Sequence, residues 1–228
     1  MVQSLPNKLS IRFNGAEIEM VDTARSLGVT MDSKISMKAF IARTSRTCFF
    51  HLRRIRQIRM CLTEDSARTI TVALVMSRLD YCNAILAGLP AASLRPLCSA
   101  LHAAARVVAC APSRDHITPL LRELHWLPIQ ARIQYKLCLL MFGVQSGDGP
   151  DYLRELVVAC CSVQSRRSLR SASGAQFIVP RTRLKFGDRS FAVAGPVAWN
   201  SLPLAVRTLT SRPTFKKALK TFLFGRYL

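Results

Sequence analysis

At about Lys34 the spacing of apolar residues changes from the alternation of strands to the three-and-four step of a helix, and the helical step governs most of the chain from there to its C-terminus. Met37, Ile41, Thr44, Cys48, Leu52 and Ile55 form one such stripe, which requires a helix with a single packing face. Before the change, residues 9–31 alternate weakly around Asn14-Gly15, a pair suited to a type I′ hairpin because both central residues need positive φ. "SLGVTM" adds a further short strand, so about three strands are expected, too few to be stable alone.

The helical pattern continues. Thr63 is suited to cap a second helix, with Glu64 and Asp65 at its positive end. Ile70, Leu74, Ser77, Tyr81 and Ile85 share one stripe of it, and Val72, Val75, Met76, Leu79 and Leu86 cover other faces. Apolar residues nearly all round predict a buried helix that ends at Gly88 and Pro90. Ser93 is the expected cap of a third helix, with Pro96 in its first turn and a seam of Leu94, Leu97, Leu101, Ala104 and Val108. Pro128 starts another helix, carrying Ile129, Ile133, Leu137 and Leu140. After a loop at "QSGDGPDYL", "SRRSLRSASGAQ" reads as a flexible basic loop and "FIVPRTRLKFGDRS" holds a short strand-like piece. Two final helices complete the chain, the last amphipathic through Phe215, Leu219, Phe222 and Leu223.

Charge narrows the partners. Lys and Arg number 33 against 13 acids, a formal net charge of +20. No acid lies between Asp32 and Glu64, where Lys34, Lys38, Arg43, Arg46, Arg53, Arg54, Arg56 and Arg59 occur, and from Leu156 to Leu228 the only acid is Asp188. Such blocks attract polyanions, of which nucleic acid is the usual one. The plainer reading is a solvated face that keeps the chain soluble. Arg78 and Asp80 interrupt the most apolar stretch, so no membrane span is expected. With no secretory signal visible after Met1, the expected location is intracellular, nuclear or cytoplasmic.

Dedicated chemistry is hard to find. The 8 cysteines form no C-x-x-C and sit mostly in apolar helical patterns, which suits reduced, packed thiols. Cys160-Cys161 has no histidine near it in sequence to complete a zinc site. Walker A, G-x-S-x-G and H-E-x-x-H motifs are absent, and Glu64-Asp65 needs no role beyond the helix dipole. Sequence separation does not exclude Cys–His catalysis between Cys82 and His51, His102, His116 or His125, but no local context favours it, and a buried helical thiol is usually inert. Asp80, Tyr81 and Cys82 look reactive side by side, yet on a helix neighbours point about 100° apart and cannot converge on one atom. Tyr81 falls on the packing stripe, and Asp80 is expected to pair with Arg78 or a residue of the next helix. Trp126 and Trp199 read as core residues rather than base-stacking platforms.

The order of short motifs is more specific than any one of them. "SLGVTMDSKISM", "CFFHLRRIRQIRMCL", "SRLDYCNAILAGLP", "AAARVV", "RDHITPLLRELHWLPIQARIQYKLCLLMF", "RSLRSA", "VPRTRLKFGDRSFAVAGPVAWNSLP" and "FKKALKTFLF" run in sequence along the chain. Together they resemble the C-terminal part of the reverse transcriptase of LINE-type, non-LTR retrotransposons, near the jockey and chicken-repeat clades. The likeness implies a mainly α fold: a helical thumb-like bundle with a small β-hairpin remnant of a polymerase palm and an irregular, α-rich C-terminal region. Residues 1–32 would be the palm end, 33–145 the thumb and 146–228 a basic C-terminal extension.

The family's catalytic Tyr-x-Asp-Asp is not in this sequence, so the resemblance implies a truncated copy, read from an internal methionine, with no catalytic or metal-binding residue to carry over. No cofactor is expected in this chain, Mg²⁺ belonging with the missing palm. What remains is RNA-directed DNA polymerase ancestry with, at most, nucleic-acid backbone binding to RNA or an RNA–DNA hybrid. The expected phosphate contacts are Lys34, Lys38, Arg43, Arg46, Arg53 and Arg54, helped by Arg166, Arg167 and Arg170 and by Arg181, Arg183 and Lys185. A host-adopted basic adaptor for RNA or protein, or a pseudogene product, stays open beside this.

Overall fold

Asn14 and Gly15 take φ of 47° and 81° in the computed structural model, which describes residues 10–19, 21–162 and 175–228. They join β1 (Ser10–Phe13) to β2 (Ala16–Glu19) in the expected hairpin. A second hairpin comes next: β3 (Thr23–Ser26) pairs antiparallel with β4 (Val29–Asp32) across Leu27 and Gly28, at φ of 45° and 81°. Instead of three strands in one element there are two separate two-stranded sheets. Positive φ is costly for leucine, and Leu27 stands 87% exposed at the tip. Tyr81 compensates, its hydroxyl donating to the Leu27 carbonyl.

The rest is mainly helical. The first helix, α1 (Lys38–Ile58), begins later than its periodicity suggests. The Asp32 carboxylate accepts from the backbone N–H of Lys34 at 3.1 Å and of Ser36 at 2.9 Å, and from the Ser36 hydroxyl at 2.8 Å. That turn holds Lys34 outside the helix. Phe40, Ile41, Ser45, Cys48, Leu52 and Ile55 are buried along α1. α4 (Ala91–Val108) packs against them through the predicted seam of Leu94, Leu97, Leu101, Ala104 and Val108. Ser93 is not its cap, because the helix already starts after Pro90 and Pro96 lies inside it. The Pro96 carbonyl accepts from Ser45 Oγ at 3.2 Å, tying α4 to α1.

The helix predicted to run from Thr63 to Gly88 is broken. Thr63 caps α2 (Glu64–Thr71), its hydroxyl accepting from the Ser66 N–H at 3.2 Å. A π-helical stretch, Val72–Met76, then leads into α3 (Ser77–Asp80). Tyr81 turns extended, Cys82 enters the left-handed region at φ 51°, and a 3₁₀ turn covers Asn83–Leu86. Nor is this helix buried all round. Val75, Met76, Leu79 and Leu86 face the core, whereas Val72, Tyr81 and Ile85 are exposed. The residues of the break reach in different directions, Tyr81 to the β3–β4 turn and Asp80 to Arg132 of α6 (Ile129–Ser146), its partner on a later helix.

α5 (Ile117–Glu123) packs on α4, and α6 starts at Pro128 as expected. After α7 (Asp151–Glu155), the strand-like piece reduces to a single bridge between Ala159 and Phe177, clamped by the Asn200 amide. The stretch read as a flexible loop falls largely at 163–174, outside the described residues. Last come α8 (Phe191–Asn200), α9 (Leu204–Arg207) and α10 (Arg212–Tyr227). Trp199, Phe215, Leu219 and Leu223 are fully buried and belong to the same apolar cluster as Leu52, Leu101 and Trp126, so one core runs across the boundaries drawn from sequence. Both tryptophans are core residues.

Candidate functional site

One half of α1 packs, and the other collects charge. At about 100° per residue, Arg43, Arg46, Phe50, Arg53, Arg54 and Gln57 fall on one side of the helix. All are exposed, and no carboxylate is paired with any of the four arginines among the described residues. Phe50 is 54% exposed, with the Arg54 guanidinium carbon 5.6 Å from its ring centroid. Lys38 lies at the start of the same helix, and Lys34 is exposed in the turn before it.

Beside this strip the fold adds something not legible in the sequence. A cleft of about 470 Å³ lies between α1, α3 and the β3–β4 turn. Three arginines line it from three elements, Arg25 of β3, Arg43 of α1 and Arg78 of α3, with hydroxyls from Thr44, Ser77 and Tyr81. No carboxylate lines it. A site of this kind offers guanidinium forks and hydroxyls to phosphate oxygens and no acid to repel them.

His51 tunes one wall. Arg78 Nη2 lies 3.2 Å from His51 Nε2 and must donate, so this nitrogen carries no proton and the imidazole is neutral. Burial, reinforced by the charges of Arg78 and Arg54, pushes the His51 pKa down. Asp32 shifts in the favourable sense for an acid: the Ser36 backbone N–H and then its hydroxyl hold the carboxyl below the usual range.

The other expected contacts are dispersed. Arg181 borders a separate cavity of about 750 Å³ between α6 and α8, near Arg226. Arg183 and Lys185 are exposed on the segment before α8, and Arg166, Arg167 and Arg170 lie outside the described residues. The structure thus brings Arg43, Arg46, Arg53 and Arg54 together with Lys38 near one end, and leaves Arg181 elsewhere. Arg59, within the same basic run, is committed to structure. It donates to the carbonyls of Val107 at 2.8 Å, Val108 at 2.7 Å and Leu62 at 2.8 Å, satisfying the C-terminal end of α4. Sequence reasoning missed Arg25 and Arg78; the only signal they offered was charge.

No group of three or more His, Cys, Asp or Glu side chains placed to hold a metal occurs among the described residues. No helix among them is long and apolar enough to cross a membrane. In comparisons with known proteins, no family model, no curated protein and no solved structure matches the chain.

Proposed function

We propose that this chain binds the phosphate backbone of RNA or an RNA–DNA hybrid along α1, as the thumb-like and C-terminal part of a LINE-type reverse transcriptase. The observation that carries the reading is the arginine strip of Arg43, Arg46, Arg53 and Arg54, in no ion pair among the described residues, beside the three-arginine cleft. A solvated charged face needs neither an interleaved exposed phenylalanine nor a concave wall built from three elements. Phosphates lie against the strip and enter the cleft, and Phe50 stacks on a base or sugar face. The contribution is grip, and no residue here is assigned to phosphoryl transfer.

The test is anisotropy of a labelled RNA–DNA hybrid over a salt series. Affinity falls steeply with salt, with a log–log slope of about 0.7–0.9 per phosphate neutralised. R43E/R46E/R53E lowers affinity at least about tenfold and flattens that slope, since each lost phosphate contact removes roughly one unit. Its circular dichroism spectrum stays unchanged, all three side chains being exposed. A salt-independent signal, or full affinity in the triple variant, refutes the proposal.

A further inference from the structure

A third cavity, of about 370 Å³, opens on the opposite side of the π-helical stretch and α3 from the basic cleft. Ser77, Arg78 and Tyr81 face the cleft, whereas Val72, Met76 and Asp80 face this cavity. Its remaining walls come from the loop before α6, from α6 itself and from Lys220 of α10.

Three features give it the chemistry of a site. First, Asn83 lines the cavity, is 4% exposed, and its buried Oδ1 has no hydrogen-bond partner among the described residues. A buried amide oxygen left without a donor is costly, and a ligand N–H relieves that cost. Second, Arg132 is immobilised: Nε donates to the Leu127 carbonyl at 2.7 Å, and Nη1 lies 2.9 and 2.8 Å from the two Asp80 oxygens. The only carboxylate lining the cavity is therefore already neutralised, and Lys136 and Lys220, in no ion pair among the described residues, leave it electropositive. Third, Val72, Met76, Trp126 and Leu139 supply an apolar wall. Val72 and Met76 bound the π-helical stretch, a rare irregularity that recurs at functional sites.

An apolar wall, one unsatisfied acceptor and two ammonium groups in no ion pair among the described residues, Lys220 resting over the Phe224 ring, suit a flat, N–H-bearing ring joined to an anion. We propose that this cavity is a nucleotide site, with the base against Val72, Met76 and Trp126, a base N–H donating to Asn83 Oδ1, and the phosphate held by Lys136 and Lys220. The volume falls in the range of small-ligand pockets. The same chemistry is presented by a free nucleotide and by one residue extruded from a strand. The proposal stands on these residues alone and does not need α1 to bind nucleic acid.

The test titrates the full chain with nucleoside monophosphates, ribose 5-phosphate and inorganic phosphate, following the Asn83 side-chain amide and the Trp126 indole N–H by NMR. Nucleoside monophosphates shift both resonances saturably, and ribose 5-phosphate and phosphate bind at least tenfold more weakly. K136E/K220E lowers nucleotide affinity at least tenfold with the spectrum otherwise retained, as Lys136 and Lys220 are exposed. R43E/R46E/R53E leaves it unchanged, which separates this site from the α1 strip. An oligonucleotide that competes with the monophosphate identifies the strand as the source; one that does not identifies the free nucleotide. No saturable shift at millimolar nucleotide overturns the proposal. So does equal binding of ribose 5-phosphate, since the base would then go unread.

Discussion

Two thiols and a carboxylate show how burial and hydrogen bonding set reactivity one side chain at a time. Desolvation raises Cys48 to about 11 and Cys138 to about 12, so neither forms thiolate near neutrality. Cys61 and Cys110 are exposed. In a timed alkylation at pH 8 read by mass spectrometry, Cys61 and Cys110 label before the buried Cys48 and Cys138. Cys48 and Cys138 label only on unfolding, and labelling of either at the rate of Cys110 would contradict their packing. Asp32 gives a pH prediction. Its pKa is depressed in the folded chain, so its contribution to stability is complete above the ordinary carboxylate pKa, about 3.9, and is lost as pH falls through the lowered value. Protection of the Ser36 amide, measured relative to its intrinsic exchange rate, therefore falls only below about pH 4 in the native sequence. Asp32→Asn removes that pH dependence, and an unaltered profile in the variant would exclude Asp32 as its source. His51 responds in the opposite sense. If phosphate binds near Arg78 as proposed, it offsets the Arg78 and Arg54 charges that add to burial in keeping the imidazole neutral, so binding takes up a proton and strengthens as pH falls, and His51→Gln abolishes that increment.

At the scale of elements, caps and breaks decide where helices begin and end. Thr63→Ala removes the acceptor for the Ser66 N–H and costs about 1 kcal/mol, read as a lower urea midpoint at unchanged slope. Retained stability would mean that water replaces the cap without loss. Local features of this kind were legible in the sequence. The hairpin at Asn14-Gly15, the Thr63 cap, the seam of α4 and the stripe of α1 each depend on residues a few positions apart. The break at Tyr81–Cys82 was hidden because its partners are distant: the Leu27 carbonyl lies 54 residues from Tyr81, and Arg132 lies 52 residues from Asp80. The site divides in the same way. Arg43, Arg46, Arg53 and Arg54 are given by the periodicity of one helix, whereas Arg25 joins Arg43 only when the second hairpin docks on α1, and Arg78 only when α3 packs against it. Charge alone could not set Arg59 apart from them either, since its role depends on the carbonyls at the far end of α4.

For the whole molecule, the question is whether the segment after residue 145 is an appendage or part of the structural unit that carries the arginine strip. Aromatic packing argues for the latter. Phe215 of α10 stacks on Phe142 of α6 at 4.4 Å between centroids and on Trp199 of α8 at 5.6 Å, and all three rings are buried in the cluster that includes Leu101 and Leu52. Trp199 also donates its indole N–H to the Ala175 carbonyl at 2.8 Å. Truncating Phe215 to alanine removes a large apolar surface and leaves a cavity between three helices, at a cost of about 3–5 kcal/mol. Against a typical domain stability of about 5–15 kcal/mol, that is enough to weaken the entire fold. Since one core connects α10 to α1 and α4, the loss propagates. In native-state hydrogen exchange of Phe215→Ala, protection falls by a similar free energy in α4 and α1 as in α10. A Phe142→Ala/Phe215→Ala cycle returns a coupling of about 0.5–1.5 kcal/mol for the stacked pair. If α10 alone lost protection while α1 and α4 kept theirs, the C-terminal segment would be a separate cooperative unit, and the arginine strip would rest on a scaffold that stands without it.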